Sequence, residues 1–148
     1  MTQPADPFDL ARFVRAQEGA YDAALAEIRS GCKRSHWMWY VFPQLAGLGF
    51  SAMSQRYAIH GANEARAYLT HPVLGPRLIE CAQATLAIKG SSARAIFGSP
   101  DDLKLRSCAT LFAAVAPPDS VFEQVLDQYF DGEHDPRTLA LLGAPSRT

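Results

Sequence analysis

Apolar positions recur at helical spacing over most of this chain, and most of those stretches open on a residue suited to capping. Behind Asp6-Pro7-Phe8-Asp9, Leu10, Phe13 and Val14 fall at i, i+3 and i+4. Tyr21, Leu25 and Ile28 carry the spacing on to Gly31, with Gly19 placed to split the segment in two. After His71-Pro72, Val73, Leu74, Leu78, Cys81, Ala82, Thr85, Leu86 and Ile88 mark one side of a long helix ending near Gly90, and Arg77, Glu80 and Gln83 take the wet side. Ser99-Pro100-Asp101-Asp102 reads as a further start, with Ser99 as cap, Pro100 in the first turn and Asp102 reaching back from the third helical position; Pro117-Pro118 ends that helix. Asp119-Ser120 opens a stripe of Val121, Phe122, Val125, Leu126, Tyr129 and Phe130. Asp135-Pro136 opens a short last helix through Leu139 and Leu142, and the tail from Ala144 to Thr148 is expected to fray.

Between Gly31 and Gly61 the pattern does not choose. HWMWYVF suits a buried strand or a buried helical turn, and its helical neighbours favour helix. No period of 20 to 50 residues repeats, and no Gly-, Ser- or Pro-rich linker divides the chain. The expectation is an all-α fold, a compact single domain over residues 1–148 with its ordered core at about 6–142 and six to eight helices.

Composition changes this picture little. The 148 residues are 48% hydrophobic and 20% charged, near the averages of folded globular proteins. Fourteen Lys and Arg against fifteen Asp and Glu, without a run of five like charges, argue against an extended nucleic-acid footprint, so any anion site is local. Cys32, Cys81 and Cys108 are odd in number and form no CxxC pair, which favours reduced thiols. The N-terminal stretch MTQPADPFDLARF has no basic segment leading an apolar run, and no apolar run approaches the ~20 residues that cross a bilayer. A cytoplasmic protein without a membrane segment is therefore expected.

Candidate chemistry gathers in three places. KRSHWMWYVFPQ sets Trp37, Trp39 and His36 beside Lys33 and Arg34 and ends on Gln44; indole faces next to cations suit stacking of a flat group beside a phosphate. PQLAGLGFSAMSQRYAI follows with Gly47, Gly49, Ser51, Ser54, Gln55, Arg56 and Tyr57, more polar equipment than a connector needs, although GLGFS lacks the Lys-Ser/Thr of a phosphate loop. In SPDDLKLRS, Asp102 either complements the helix dipole or points into a cavity, where a carboxylate could favour an oxocarbenium-like centre; Lys104 and Arg106 read as solvated. There is no GxSxG, no HExxH and no paired-cysteine spacing, so neither covalent catalysis nor a metal site is expected, and no cofactor.

DPFDLARFVRAQ, KRSHWMWYVFPQLAGLGFSAMSQRYAI, ARAYLTHPVLGPRLIEC and IFGSPDDLKLRSCATLF together resemble a family of small uncharacterised helical proteins of bacteria and fungi, over Asp6 to about Leu142. Some members carry the label calpastatin, which does not suit a chain so periodic and so rich in large apolar groups. The order YLTHPVLGPRL then SPDDLKL is also distantly similar to the helical NADAR proteins, which act on ADP-ribose derivatives and related N-glycosides. Ser99, Pro100 and Asp102 match their SPxD block, whereas Leu103, Lys104 and Leu105 replace the tryptophan and glycine that usually follow.

The leading expectation is a pocket for an ADP-ribose-like or other nucleotide-derived small molecule, with possible hydrolysis of its N-glycosidic bond. Trp37 or Trp39 would stack the flat group, Lys33, Arg34 or Arg56 would meet phosphate, Gln44 and Gln55 would fix hydroxyls or a base edge, and Asp102 would sit near the anomeric carbon, with His36 and Ser51 as further ligand-binding residues. The alternative is a non-catalytic module that binds a small molecule or a protein. A homodimer through Val121 to Phe130 is a further possibility.

Overall fold

The computed structural model describes residues 6–143, and ten helices lie among them. They are α1 (Ala11–Gln17), α2 (Tyr21–Arg29), α3 (Met38–Val41), α4 (Ala52–Arg56), α5 (Ala62–Thr70), α6 (Leu74–Ala87), α7 (Ala93–Phe97), α8 (Asp101–Ala113), α9 (Val121–Phe130) and α10 (Pro136–Leu142). The excess over six to eight comes from short pieces: α3, α4 and α7 have four or five residues each, too few to show a period and too few to stand without tertiary support. The tail beyond Gly143, expected to fray, lies outside the described residues.

Side-chain caps set several of the helix starts. Ser120 accepts from the Glu123 amide to open α9, and Asp135 accepts from the Thr138 amide to open α10, as their sequences predict. Gly19, at φ +76°, divides α1 from α2. Asp6 acts further out than expected: its carboxylate takes the amides of Leu10 at 2.7 Å and Ala11 at 3.0 Å, so helix begins only at Ala11. The start of α8 also differs from its reading. Pro100 stands at the N-cap position without a side-chain bond, Asp101 is the first helical residue, and Ser99 caps nothing.

α8 is the central strut, against which α9, α7, α10 and α5 pack; α6 meets α2, α5 and α9 on the other side. Leu105, Cys108, Ala109, Leu111 and Phe112 are buried along α8, consistent with its weak amphipathicity. Phe122, Val125 and Leu126 of α9 are buried against α6 and α8, while Val121, Tyr129 and Phe130 of the same stripe are half-buried. Cys81 and Cys108 are buried as free thiols, and Cys32 is exposed. No helix among the described residues is long and apolar enough to cross a membrane.

The α5–α6 corner depends on one glycine. A Cβ on buried Gly75 would lie 2.1 Å from the backbone oxygen of Leu69, far inside contact distance, so α6 can approach the end of α5 only without a side chain there.

HWMWYVF, for which helix is favoured, holds the single helical turn of α3, and the stretch from Gly31 to Gly61 is otherwise mostly irregular. Beyond α3 and α4, its regular pairing is a single parallel bridge, in which the Ala46 amide donates to the Ile59 carbonyl at 2.8 Å and the Ile59 amide to the Gln44 carbonyl at 2.9 Å. Remote side chains hold the rest. Arg12 of α1 donates to the carbonyls of Arg56 and Ala58, at 2.8 and 2.7 Å, and to the carboxylate of buried Glu64 at 2.8 Å. Glu64 in turn takes the His60 amide at 3.1 Å.

Candidate functional site

The irregular stretch and two later helices enclose a cleft of about 380 Å³, the low end of the range for small-molecule sites. Trp39, Leu45, Leu48 and Tyr57 supply its aromatic and apolar wall. The opposite wall is one face of α8, where Pro100, Leu103, Lys104 and Ser107 recur at i, i+3, i+4 and i+7. Arg106, Asp135 and Arg137 close one end, and Gln44 and Ser54 supply neutral polar atoms.

Its charges differ in how far they are committed. Arg106 donates to the carbonyls of Glu133 at 3.1 Å and His134 at 2.8 Å, which makes it a strut between α8 and the approach to α10. Asp135 accepts on Oδ2 alone, from the Ser107 hydroxyl, at 3.1 Å, and from the amide and hydroxyl of Thr138. Lys104 pairs with Asp101 at 3.2 Å and stands over the Trp39 ring, 5.3 Å from its centroid. Arg137 is exposed on the first turns of α10, and its hydrogen bond is one long contact of 3.4 Å to the Gly47 carbonyl. Asp101 also takes the Lys33 ammonium, at 2.8 Å. Burial pushes the Asp101 carboxyl up, but the two lysines outweigh it and hold the group below the usual carboxylate range.

The structure brings few of the expected site residues together. Trp39 and Gln44 line the cleft. Trp37 does not: it is 1% exposed, packs against Phe42 and Phe97, and its indole N–H donates to Glu27 at 3.0 Å. Lys33 is turned inward, with its side chain 8% exposed between Asp101 and the Trp37 ring, so it reaches the cleft only through Asp101. Arg34 and His36 are exposed on the loop before α3 and are not among the cleft-lining residues. Ser51 caps α4, Gln55 donates to the Phe50 carbonyl, and Arg56 lies over Tyr57, all outside the lining. Asp102 is about 200° round α8 from Pro100 and is absent from the cleft wall; its Oδ1 is buried without a hydrogen-bond partner.

Ser54 and Tyr57, which the sequence offers only as part of a polar segment, line the cleft as well; Lys104 reads as solvated in the sequence, and Arg137 and Leu48 are overlooked there. The usable signal for Lys104 was the i, i+3, i+4, i+7 row on α8, where a cation interrupts an apolar face. Arg137 left none, because its place opposite Gly47 depends on the whole fold. Among the described residues no three His, Cys, Asp or Glu side chains gather as a metal site would need.

The loop carrying Arg34 to Trp37 is fixed from α2. Glu27 accepts from the Arg34 amide at 2.7 Å, the Ser35 amide at 2.9 Å, the Ser35 hydroxyl at 2.7 Å and the Trp37 indole. Partial burial alone would raise its pKa, but these four donors bring it down to about 2 from 4.5. Because the folded-state pKa is depressed, the stabilisation is complete above about 4.5 and is lost as pH falls toward about 2. Glu27→Gln should cost about 1–2 kcal/mol at pH 7, a figure reduced for partial exposure, and the gap to wild type should close between pH 4.5 and 2. Urea melts at pH 7, 5 and 3 check this; a gap that is independent of pH would contradict it.

A family model described as "Protein of unknown function (DUF1810)" matches residues 7–142. The chain belongs to this family. DUF1810 membership agrees with the expected kinship to uncharacterised helical proteins. A solved structure of high similarity is that of the conserved hypothetical protein Rv1873 from Mycobacterium tuberculosis, a crystal structure at 1.38 Å. It is 51% identical, with 95% of this chain and 100% of that one covered, at a TM-score of 0.92. No curated protein matches this DUF1810 chain.

Proposed function

We propose that the cleft binds a small anionic molecule with a flat group, of the nucleotide or ADP-ribose class. What carries this reading is the meeting, in one concavity, of the Trp39 and Tyr57 wall with Lys104 and the sparsely bonded Arg137. An indole offers a large face to a base, and a guanidinium matches phosphate oxygens two at a time. Gln44 and Ser54 are placed for hydroxyls or a base edge. The distant similarity to NADAR proteins points to the same ligand class.

Binding without turnover is the form the geometry favours. The sequence makes Asp102 the candidate for N-glycoside cleavage, but it lies off the cleft wall, and Asp135, the carboxylate on the wall, is held by Thr138 and Ser107 through one oxygen, Oδ2. Hydrolysis would need Asp102 to turn toward the ligand, or the second oxygen of Asp135 to meet the anomeric carbon.

Thermal shift with AMP, ADP, ADP-ribose and NAD tests the reading. A ligand at ~100 times its Kd should add about 2.7 kcal/mol of stability. Arg137→Ala should weaken binding about tenfold, the loss of a charge-assisted contact, with little change in the ligand-free melting temperature because the residue is exposed. Chromatography should recover the ligand intact, and release of a free base would reinstate hydrolysis. Absence of any shift at millimolar ligand would overturn the reading.

A further inference from the structure

Trp37 and Trp39 differ in what lies on their rings. Trp37 is enclosed by Phe42 and Phe97. Trp39 is in no ring–ring contact among the described residues, and it carries the Lys104 ammonium instead, 5.3 Å from its centroid. Lys104 is held in that place from behind. Its ammonium is 3.2 Å from Asp101 Oδ1, whose Oδ2 is fixed at 2.8 Å by the inward-turned Lys33. One carboxylate therefore ties a buried lysine to a lysine on the cleft wall, and the tied lysine occupies the face that a flat ligand would use.

We infer that Lys104 is a displaceable latch on Trp39, drawn off the indole and Asp101 by a ligand's anionic group, so that the cleft selects molecules carrying an anion and a ring together. This rests on the nucleotide-binding reading above and adds a rule of specificity to it. A phosphate alone can pair with Lys104 but gains nothing from the uncovered indole. A neutral nucleoside can stack only by displacing a cation to which it offers no new partner. A nucleotide supplies both halves, because its phosphate takes the ammonium as its base takes the ring. Neither holding contact is sealed from solvent: Lys104, Asp101 and Trp39 are half-buried, so the cation–ring contact and the ion pair each correspond to about two- to tenfold in an equilibrium constant, which suits a part that must move.

The test uses the folded chain carrying Trp37→Phe, so that Trp39 is its one indole and reports on the cleft. Without ligand, Lys104→Ala should increase quenching of Trp39 by acrylamide. AMP, adenosine and inorganic phosphate are then titrated against the Trp37→Phe background and its Lys104→Ala derivative. The latch requires opposite responses: Lys104→Ala weakens AMP about tenfold, through loss of a charge-assisted contact, and strengthens adenosine about two- to tenfold, through loss of the cover. Asp101→Asn, which frees Lys104, should tighten AMP by a similar two- to tenfold. A lysine that only supported the fold would move AMP and adenosine in the same direction. AMP binding with adenosine weakened or unchanged by Lys104→Ala overturns the latch and leaves the nucleotide reading intact. Failure of AMP to bind in either background overturns this inference, and the nucleotide reading falls with it when ADP, ADP-ribose and NAD also leave the melting temperature of the unsubstituted chain unmoved.

Discussion

Arg12→Met is expected to remove about 3–5 kcal/mol of stability, the usual cost of leaving one partner of a buried ion pair alone. Glu64 would stay behind with its side chain 2% exposed, keeping only the His60 amide as a donor. The same substitution strips donors from the carbonyls of Phe8, Asp9, Arg56 and Ala58, and takes the cation from over the Phe13 ring at 4.3 Å. Domains of this size have about 5–15 kcal/mol in all, so the variant should lie near the edge of folding at 37 °C. Urea unfolding at pH 7 measures the loss, and a value below about 1 kcal/mol would show that the clasp is dispensable. The double variant Arg12→Met, Glu64→Leu should recover much of the stability, because the desolvated charge leaves together with its partner.

The second large effect is expected at Trp37. Truncation to Ala should cost about 3–5 kcal/mol, the range for large aromatic residues in cores, and should deprive Glu27 of its indole donor. Trp37→Phe keeps most of the packing against Phe42 and Phe97 and should cost roughly 1–2 kcal/mol, for the lost hydrogen bond and part of the ring. Trp39→Ala separates the two indoles: its ring is partly exposed at the cleft, so its effect should fall mainly on ligand affinity and less on melting temperature. Equal stability losses for Trp37→Ala and Trp39→Ala would contradict the division of labour between them.

Helices that carry their own caps and stripes were legible before any coordinates. α6, α9 and α10 lie where their patterns place them, because Ser120 and Asp135 act on amides only three residues away and the buried faces repeat every turn. The stretch from Gly31 to Gly61 was not legible. Its conformation is imposed by Glu27 and by Arg12, the latter acting from more than forty residues away, and nothing local in HWMWYVF records that. The same distinction governs the cleft. Trp39 and Gln44 were found in one aromatic segment, while Lys104 was set aside as solvated and Arg137 is about ninety residues from the Gly47 carbonyl it touches. Asp102 drew notice as a helix-start acid, and its angular position on α8 then turned it from the cleft.

The tight corner at Gly75 bears on how kindred sequences should be compared. Any chain that keeps this meeting of α5 and α6 must keep glycine there, whatever it binds, because the Leu69 oxygen leaves no space for a methyl group. Invariance at 75 would thus report architecture. Arg137 is under no such compulsion from the fold, so its persistence across relatives would report a shared ligand, and its drift to neutral residues would mark where the ligand changes.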